Sequence, residues 1–382
     1  MARGNPDTVL FANPGADLYG SDRMAVETVR ALVAAGRRVV VTVPNPGPLV
    51  EMLQDAGAEV VECATPIVRK GLLSPRGLWE LFTTTLRAIG PNARLLRRVD
   101  PAVVIVNTIT PPLWLPLSRL GRRYTVCHVH EGEASVSSIL RRALYVPALF
   151  ANRILINSRF SLDVLATSAP WLTKRTVVVY NAVAGPPEVV PPREHLDGPV
   201  RLIFVGRLSQ RKGPQVAIEA LKRLIDDGRD ATLELLGAVF PGNEAFAEGL
   251  EELVRTHGLE DRVTFLGFKP SVWDDIARND IVLIPSTVDE PFGNTAVEAA
   301  LAARPAVVSA VGGLPEASAH STSSVLVEPD DARALAAGIG RIVDGWTEYA
   351  NRALGDSVDV ATAFSSQRYA HEIVPAVTPP RR

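Results

Sequence analysis

Cysteine is scarce: the 382 residues hold two, Cys63 and Cys127. Two thiols far apart in sequence build neither a metal cluster nor a disulfide framework, and they read as buried thiols of a reducing compartment. An excess of one charge is also lacking. Forty Lys and Arg stand against 42 Asp and Glu, a net of −2, which excludes a general nucleic-acid binder. Long apolar runs are missing as well. The longest, 101–117, is interrupted by Asn107, Thr108, Thr110 and repeated prolines, so it does not read as a membrane span. The opening residues MARGNPDTVLFANPG lack a charged-then-apolar leader with a small-residue cleavage site, and no signal peptide is expected. A cytoplasmic location follows as the expectation, with peripheral contact at the inner membrane face left open.

What the chain does have is rhythm. Apolar residues make up 47% and charged residues 21%, the proportions of a globular protein long enough for two domains. Short β-rich runs alternate with helical stretches. Residues 8–12 read as a buried strand, 21–35 as a helix closed by Gly36, 38–43 as the next strand, and 48–56 as a helix with Pro48 in its first turn. Strands follow near 59–63, 103–106, 125–129 and 154–156, and Ser158 suits the N-cap of a helix through 166. Residues 184–199, AGPPEVVPPREHLDGP, break the rhythm with five prolines and two glycines, the composition of an interdomain linker. Strands then recur at 201–205, 232–236, 263–266, 281–284, 306–309 and 325–327. Helices fall at 214–226, 244–256, 272–277 and 295–303. The expectation is an α/β protein of two successive doubly wound, Rossmann-like domains facing each other across a cleft. Their boundaries would be 1–184, a linker at 185–199, and 200–360. A tail, 361–382, begins helical, ends in a proline- and arginine-rich stub, and has the option of crossing back to the first domain.

Charge is uneven locally. Between 61 and 160 there are 14 Lys and Arg against 5 Asp and Glu. A solvated surface accounts for this; the sharper reading is an anionic partner such as a lipid head group or a phosphorylated acceptor.

Two segments carry the chemistry. In FVGRLSQRKG, 204–213, a strand runs into Gly206 and Arg207, and Lys212 and Gly213 stand just before a helix. Two cations near a strand end and a helix N-terminus suit a diphosphate, although each alone could be a surface residue. In 286–316, STVDEPFGNTAVEAALAARPAVVSAVGGLPE, Glu290 and Glu298 flank Phe292, Gly293 and Asn294. The amides entering the helix there can bind a ligand, and Gly293 allows a close approach. Carboxylates beside a phosphate pocket suit sugar hydroxyls. The plainer alternatives are an exposed helix residue for Glu298 and a dipole-favoured charge for Glu290.

With these segments in view, the chain resembles the family-four retaining glycosyltransferases of the GT-B fold. VTFLGF, INSRFSLDVL, VVVYNAVAG and the N-terminal ADLYGSDRMAVETVRALVAAGRRVVV carry further likeness. The glycine pair often found in that N-terminal loop reads Gly20-Ser21 here. The resemblance implies that Arg207 and Lys212 hold the donor diphosphate and steady the leaving group. Glu290 would contact the donor sugar, with the amides of Phe292, Gly293 and Asn294, and Thr295 would approach the phosphate. Glu298 would take the ribose hydroxyls. Phe268 and Lys269 would hold the nucleobase, largely through backbone. Gly20 would close over the phosphates. His130, in CHVHEGE, would face the sugar. His128 reads as a structural residue on the opposite face of its strand. Asp17, Asp22 and Glu131 are candidates for acceptor contact.

The implied reaction moves a hexosyl unit from a nucleoside-diphosphate sugar to a hydroxyl acceptor with retention. No Asp-x-Asp motif is present, so no metal or other cofactor is expected. The expected partners are the nucleotide sugar and an acceptor, lipid-linked or anionic, with no nucleic acid. The rivals are a GT-B nucleotide-sugar epimerase and an inert nucleotide-sugar-binding protein.

Overall fold

A computed structural model describes residues 4–18, 20–68, 75–132, 138–240 and 242–380. The chain divides into two compact units, Met1–Ala182 with Ser366–Arg382, and Val183–Ser365. Each is a parallel sheet flanked by helices, and the strands are the near-continuous apolar runs that two covered faces require.

In the first unit the strands are β1 (Asn5–Ala12), β2 (Arg38–Val43), β3 (Glu59–Glu62), β4 (Pro101–Asn107), β5 (Tyr124–Val129), β6 (Arg153–Ile156) and β7 (Thr176–Val178). Their order is β3-β2-β1-β4-β5-β6-β7. Leu10 sits beside Val40 on one side and Val104 on the other. The order reverses between β1 and β4, and the crevice beyond the strand ends at such a point is where open α/β sheets bind ligands. Ser158 caps the helix Arg159–Ser168, its hydroxyl accepting from the Ser161 amide at 3.0 Å. Both cysteines are buried and unbridged; the Cys63 thiol donates to Asn92 Oδ1 at 2.7 Å.

The alternation calls for a helix between the strands at 59–63 and 103–106, and it is Pro75–Val99, 25 residues long and holding Pro91. Ala88, Asn92, Leu95 and Val99 turn inward, while Trp79, Phe82, Leu86 and Ile89 stay exposed. The final helix, Ser366–Val377, packs in the first unit's core through Tyr369, Ile373 and Val377. The Tyr369 hydroxyl lies 2.7 Å from Thr28 Oγ1, and Arg368 donates to the carbonyls of Tyr180 and Asn181 at 2.8 and 2.9 Å. Position 361, read as the start of the tail, lies inside the helix Trp346–Ala363. Arg381 and Arg382, the end of the expected stub, lie outside the described residues.

The second unit has β8 (Val200–Val205), β9 (Ala231–Leu236), β10 (Val263–Gly267), β11 (Ile281–Ile284), β12 (Ala306–Ser309) and β13 (Ser324–Val327). They run in the order β10-β9-β8-β11-β12-β13, with the reversal between β8 and β11. Residues 185–199 carry no helix or strand, yet they are fastened to this unit. Arg193 Nε donates to the buried Asp280 at 2.8 Å, Trp346 Nε1 donates to the Arg193 carbonyl at 2.9 Å, and Arg304 reaches the Val190 carbonyl at 2.8 Å. Proline-rich composition alone suggested a looser connection. Among the described residues, no helix is long and apolar enough to cross a membrane.

Candidate active site

The second unit brings Arg211, Lys212 and Glu290 together at the β8–β11 reversal. β8 ends at Val205, and the chain turns through Gly206 and Arg207 to the helix Pro214–Asp226. Lys212 stands just before that helix. Its side chain passes Gly206, with Cδ 4.0 Å from where a Cβ would sit, and its ammonium donates to Glu290 Oε2 at 2.6 Å. Arg211 Nη1 approaches the same oxygen at 3.4 Å and donates to the Asp289 carbonyl at 2.8 Å. Ser286 Oγ lies 3.5 Å from that oxygen. Burial strips water from the Glu290 carboxylate and on its own raises its pKa. The charges of Lys212 and Arg211 and the bonds from Lys212 and Ser286 outweigh this and hold it below the ordinary 4.5. Arg211 and Ser286 escaped the sequence reading, although Arg211 adjoins Lys212 in the dibasic pair.

The Glu290 backbone is held as firmly as its carboxylate. Its carbonyl accepts from the Gly313 amide at 2.7 Å. Gly312 adopts φ +62, and a Cβ there would run into the Glu290 backbone, so only glycine fits. Gly293, at φ +108, caps the helix Asn294–Leu301. A Cβ on it would strike Leu314, so internal packing already demands this glycine. The Phe292 ring is buried against Phe364, centroids 5.6 Å apart, which leaves its backbone as the part that can meet a ligand. Thr295 Oγ1 donates to the Val205 carbonyl at 3.4 Å, placing the helix start against the end of β8. Glu298 is 8% exposed, which rules out the solvent-exposed alternative. Arg207 stacks its guanidinium on Phe240, 3.5 Å from the ring centroid. Phe268 is exposed just after β10, while Lys269 is paired with Asp275 at 2.7 Å, so its ammonium serves that carboxylate.

In the first unit His130 follows β5. Its Nε2 lies 2.9 Å from Asn107 Oδ1, and its amide donates to Glu131 Oε2 at 3.0 Å. Burial lowers its pKa to about 4, so the ring is neutral at neutral pH. His128 is fully buried and stacks on His130 at 4.1 Å between centroids. The expected opposite-face placement of His128 is therefore wrong: a two-residue step keeps both rings on one face of a strand. Asp22 is 4% exposed and accepts from Asn13 at 3.1 Å, so its carboxylate is turned inward. Asp17 is exposed, and Gly20 begins the helix Gly20–Ala34.

Comparison with known proteins gives the family. Residues 186–353 match the family described as glycosyl transferases group 1, and residues 19–184 match glycosyltransferase family 4. A 2-deoxystreptamine glucosyltransferase of Streptomyces kanamyceticus is 32% identical over 357 residues, covering 82% of this chain and 87% of that protein. The chain belongs to glycosyltransferase family 4. A D-inositol 3-phosphate glycosyltransferase of Corynebacterium glutamicum is 35% identical over 165 residues, 42% of this chain and 39% of that one. Among solved structures, Anabaena Alr3699/HepE in complex with UDP and glucose superposes with a TM-score of 0.81 at 22% identity, covering 97% of this chain and 99% of that chain. That likeness shows the GT-B fold. This family-4 glycosyltransferase thus places Lys212 and Glu290 in direct contact at a strand reversal, with Thr295 and Arg207 anchored beside the end of β8.

Proposed function

We propose that this glycosyltransferase is retaining and moves a hexosyl unit from a nucleoside-diphosphate sugar to a hydroxyl acceptor without a metal. The observation that carries the reading is the buried Glu290 carboxylate clamped by Lys212 and Arg211 where β8 and β11 diverge. Buried ion pairs seldom stabilise a fold on balance, so a pair kept at a ligand-binding crevice points to a ligand. Lys212 and Arg207 can neutralise a leaving diphosphate, and first-turn amides of the helix Asn294–Leu301 add partial positive charge. A carboxylate already tied to two cations is a poor nucleophile. Glu290 therefore fits sugar positioning, with the leaving phosphate oxygen taking the acceptor proton from the same face. Glu298 would take the ribose, and Phe268 and the Lys269 backbone the base.

The UDP and glucose of the Anabaena structure and the glucosyltransferase name of the Streptomyces relative support UDP-glucose as the first donor to try. The acceptor would belong to cell-surface glycan, glycolipid or glycosylated-metabolite synthesis. A lipid-linked acceptor, met at the inner membrane face, draws support from the helix Pro75–Val99. Trp79, Phe82, Leu86 and Ile89 fall within about 80° of one another on a 3.6-residue turn. The exposed Arg76, Arg87 and Arg94 line one flank of that stripe, a pattern that suits an anionic bilayer surface.

The test is a thermal-shift screen of nucleoside diphosphates and their sugars, then mass spectrometry and NMR of product with hydroxyl acceptors. An α-linked product from an α-configured donor, formed in chelator, supports the reading. A β-linked product overturns retention. Epimerised donor in the absence of acceptor would make the chain an epimerase, and binding without turnover would make it an inert binder.

A further inference from the structure

At the β1–β4 reversal of the first unit, four side chains form an unbroken line of hydrogen bonds. Asn13 Nδ2 donates to Asp22 Oδ1 at 3.1 Å and to the Gly15 carbonyl at 2.9 Å. Asn107 Nδ2 donates to Asn13 Oδ1 at 2.7 Å and to the Ser21 carbonyl at 3.3 Å. Asn107 Oδ1 then meets His130 Nε2 at 2.9 Å. Asn13 and Asn107 are fully buried. Asn13 follows β1, Asn107 ends β4 and His130 follows β5, so three strand ends supply the line and the first turn of the helix Gly20–Ala34 closes it.

The direction of the line is fixed by chemistry. A carboxylate and main-chain carbonyls only accept. Each amide therefore turns its NH2 toward Asp22 or a carbonyl, because the flipped amide would set oxygen against oxygen. Asn107 is left presenting an oxygen to the imidazole, and Nε2 must carry the proton. The backbone is bent to suit. Thr108, next in the chain, is held at φ +69 and its amide donates to the His128 carbonyl at 2.7 Å. A β-branched residue in the left-handed region is strained and persists where surrounding structure over-determines it.

We infer that Asp22, Asn13 and Asn107 are positioning residues that lock His130 in the Nε2–H tautomer, leaving Nδ1 as the acceptor for a substrate hydroxyl at this end of the first unit's sheet. This rests on the proposed sugar chemistry for the role of Nδ1, but the tautomer itself is independent of it. The low pKa of His130 keeps the imidazole uncharged, so it orients a hydroxyl and does not contribute positive charge. Neither asparagine carries a motif; each is merely the polar residue that ends or follows an apolar strand (VLFAN, VVIVN).

Ring nitrogen-15 NMR of the full-length protein with labelled histidine, assigned with His130→Gln, reads the tautomer directly. The expected spectrum at neutral pH shows His130 protonated at Nε2 and bare at Nδ1. In Asn107→Leu the ring signals move toward the other tautomer, and kcat falls at least about tenfold while the donor KM holds. Where Asn107→Leu does not fold, the near-isosteric Asn107→Asp serves. Its carboxylate beside Nε2 favours the charged ring, and the His130 signals move toward those of an imidazolium. A wild-type His130 protonated at Nδ1 or charged, or unchanged ring signals in whichever folded variant is measured, overturns the inference. UDP binding by calorimetry is followed in parallel: its absence in the wild type counts against the donor reading and leaves the tautomer result standing.

Discussion

A lysine ammonium has three N–H donors, and Glu290 takes one of those on Lys212. The others can reach a phosphate while the carboxylate stays held, so a single residue can link the diphosphate to the sugar-facing acid. Replacing Lys212 with Ala is expected to weaken nucleoside-diphosphate binding by about 10- to 100-fold, the worth of a charge-assisted bond of ~1.5–3 kcal/mol; equal affinity by calorimetry would contradict the assignment. Glu290 makes a second prediction, in pH. Its folded pKa lies below the ordinary 4.5, so its ionised form adds stability above that value, and the gain drains away as pH falls through the folded pKa. Melting temperatures measured from neutral pH downward should drop more steeply below about pH 4.5 in the wild type than in Glu290→Gln. Parallel curves would mean that the cations do not hold the carboxylate. Glu290 and Lys212 were legible in sequence because charged residues interrupt apolar strand-to-helix turns there. Asn13 and Asn107 were not, since one uncharged amide at a strand end looks like any loop residue.

At the level of elements, short buried strands were the most readable parts. The runs at 38–43, 281–284 and 306–309 coincide with β2, β11 and β12 because three or four consecutive apolar residues between turn signals leave little choice. The helix Pro75–Val99 was foreseen only as an element between two strands, without bounds, because Gly90 and Pro91 imitate a break inside it. Its outer face is testable. Trp79 and Phe82 rest on each other, 5.7 Å between centroids, and are 67% and 52% exposed. Changing both to Ser should reduce sedimentation with anionic vesicles at least about tenfold, at ~1.5–3 kcal/mol for each large apolar side chain buried, with zwitterionic vesicles showing weaker binding throughout. Wild-type protein that ignores anionic vesicles, or that dimerises through this face on light scattering, would remove the support for a lipid-linked acceptor.

For the molecule as a whole, two α/β sheets could be foreseen from alternation, whereas the destination of the last helix could not be fixed by local pattern. Tyr369 is fully buried there, and its hydroxyl meets Thr28, which also donates to the Met24 carbonyl at 2.8 Å. Tyr369→Phe should therefore cost only ~1 kcal/mol, since Thr28 keeps a partner. Tyr369→Ala should cost ~3–5 kcal/mol by emptying a core site. Urea unfolding followed by a probe in each unit should show the loss in the first and not in the second; an equal shift in both would mean the helix does not belong to the first unit alone. A ribosome makes residues 4–182 well before 366–377, yet the earlier sheet lacks Tyr369, Ile373 and Val377 until those codons are read. The later-made unit can thus mature before the earlier one, and the nascent amino-terminal half must wait, partly uncovered, until residues 366–377 have been made.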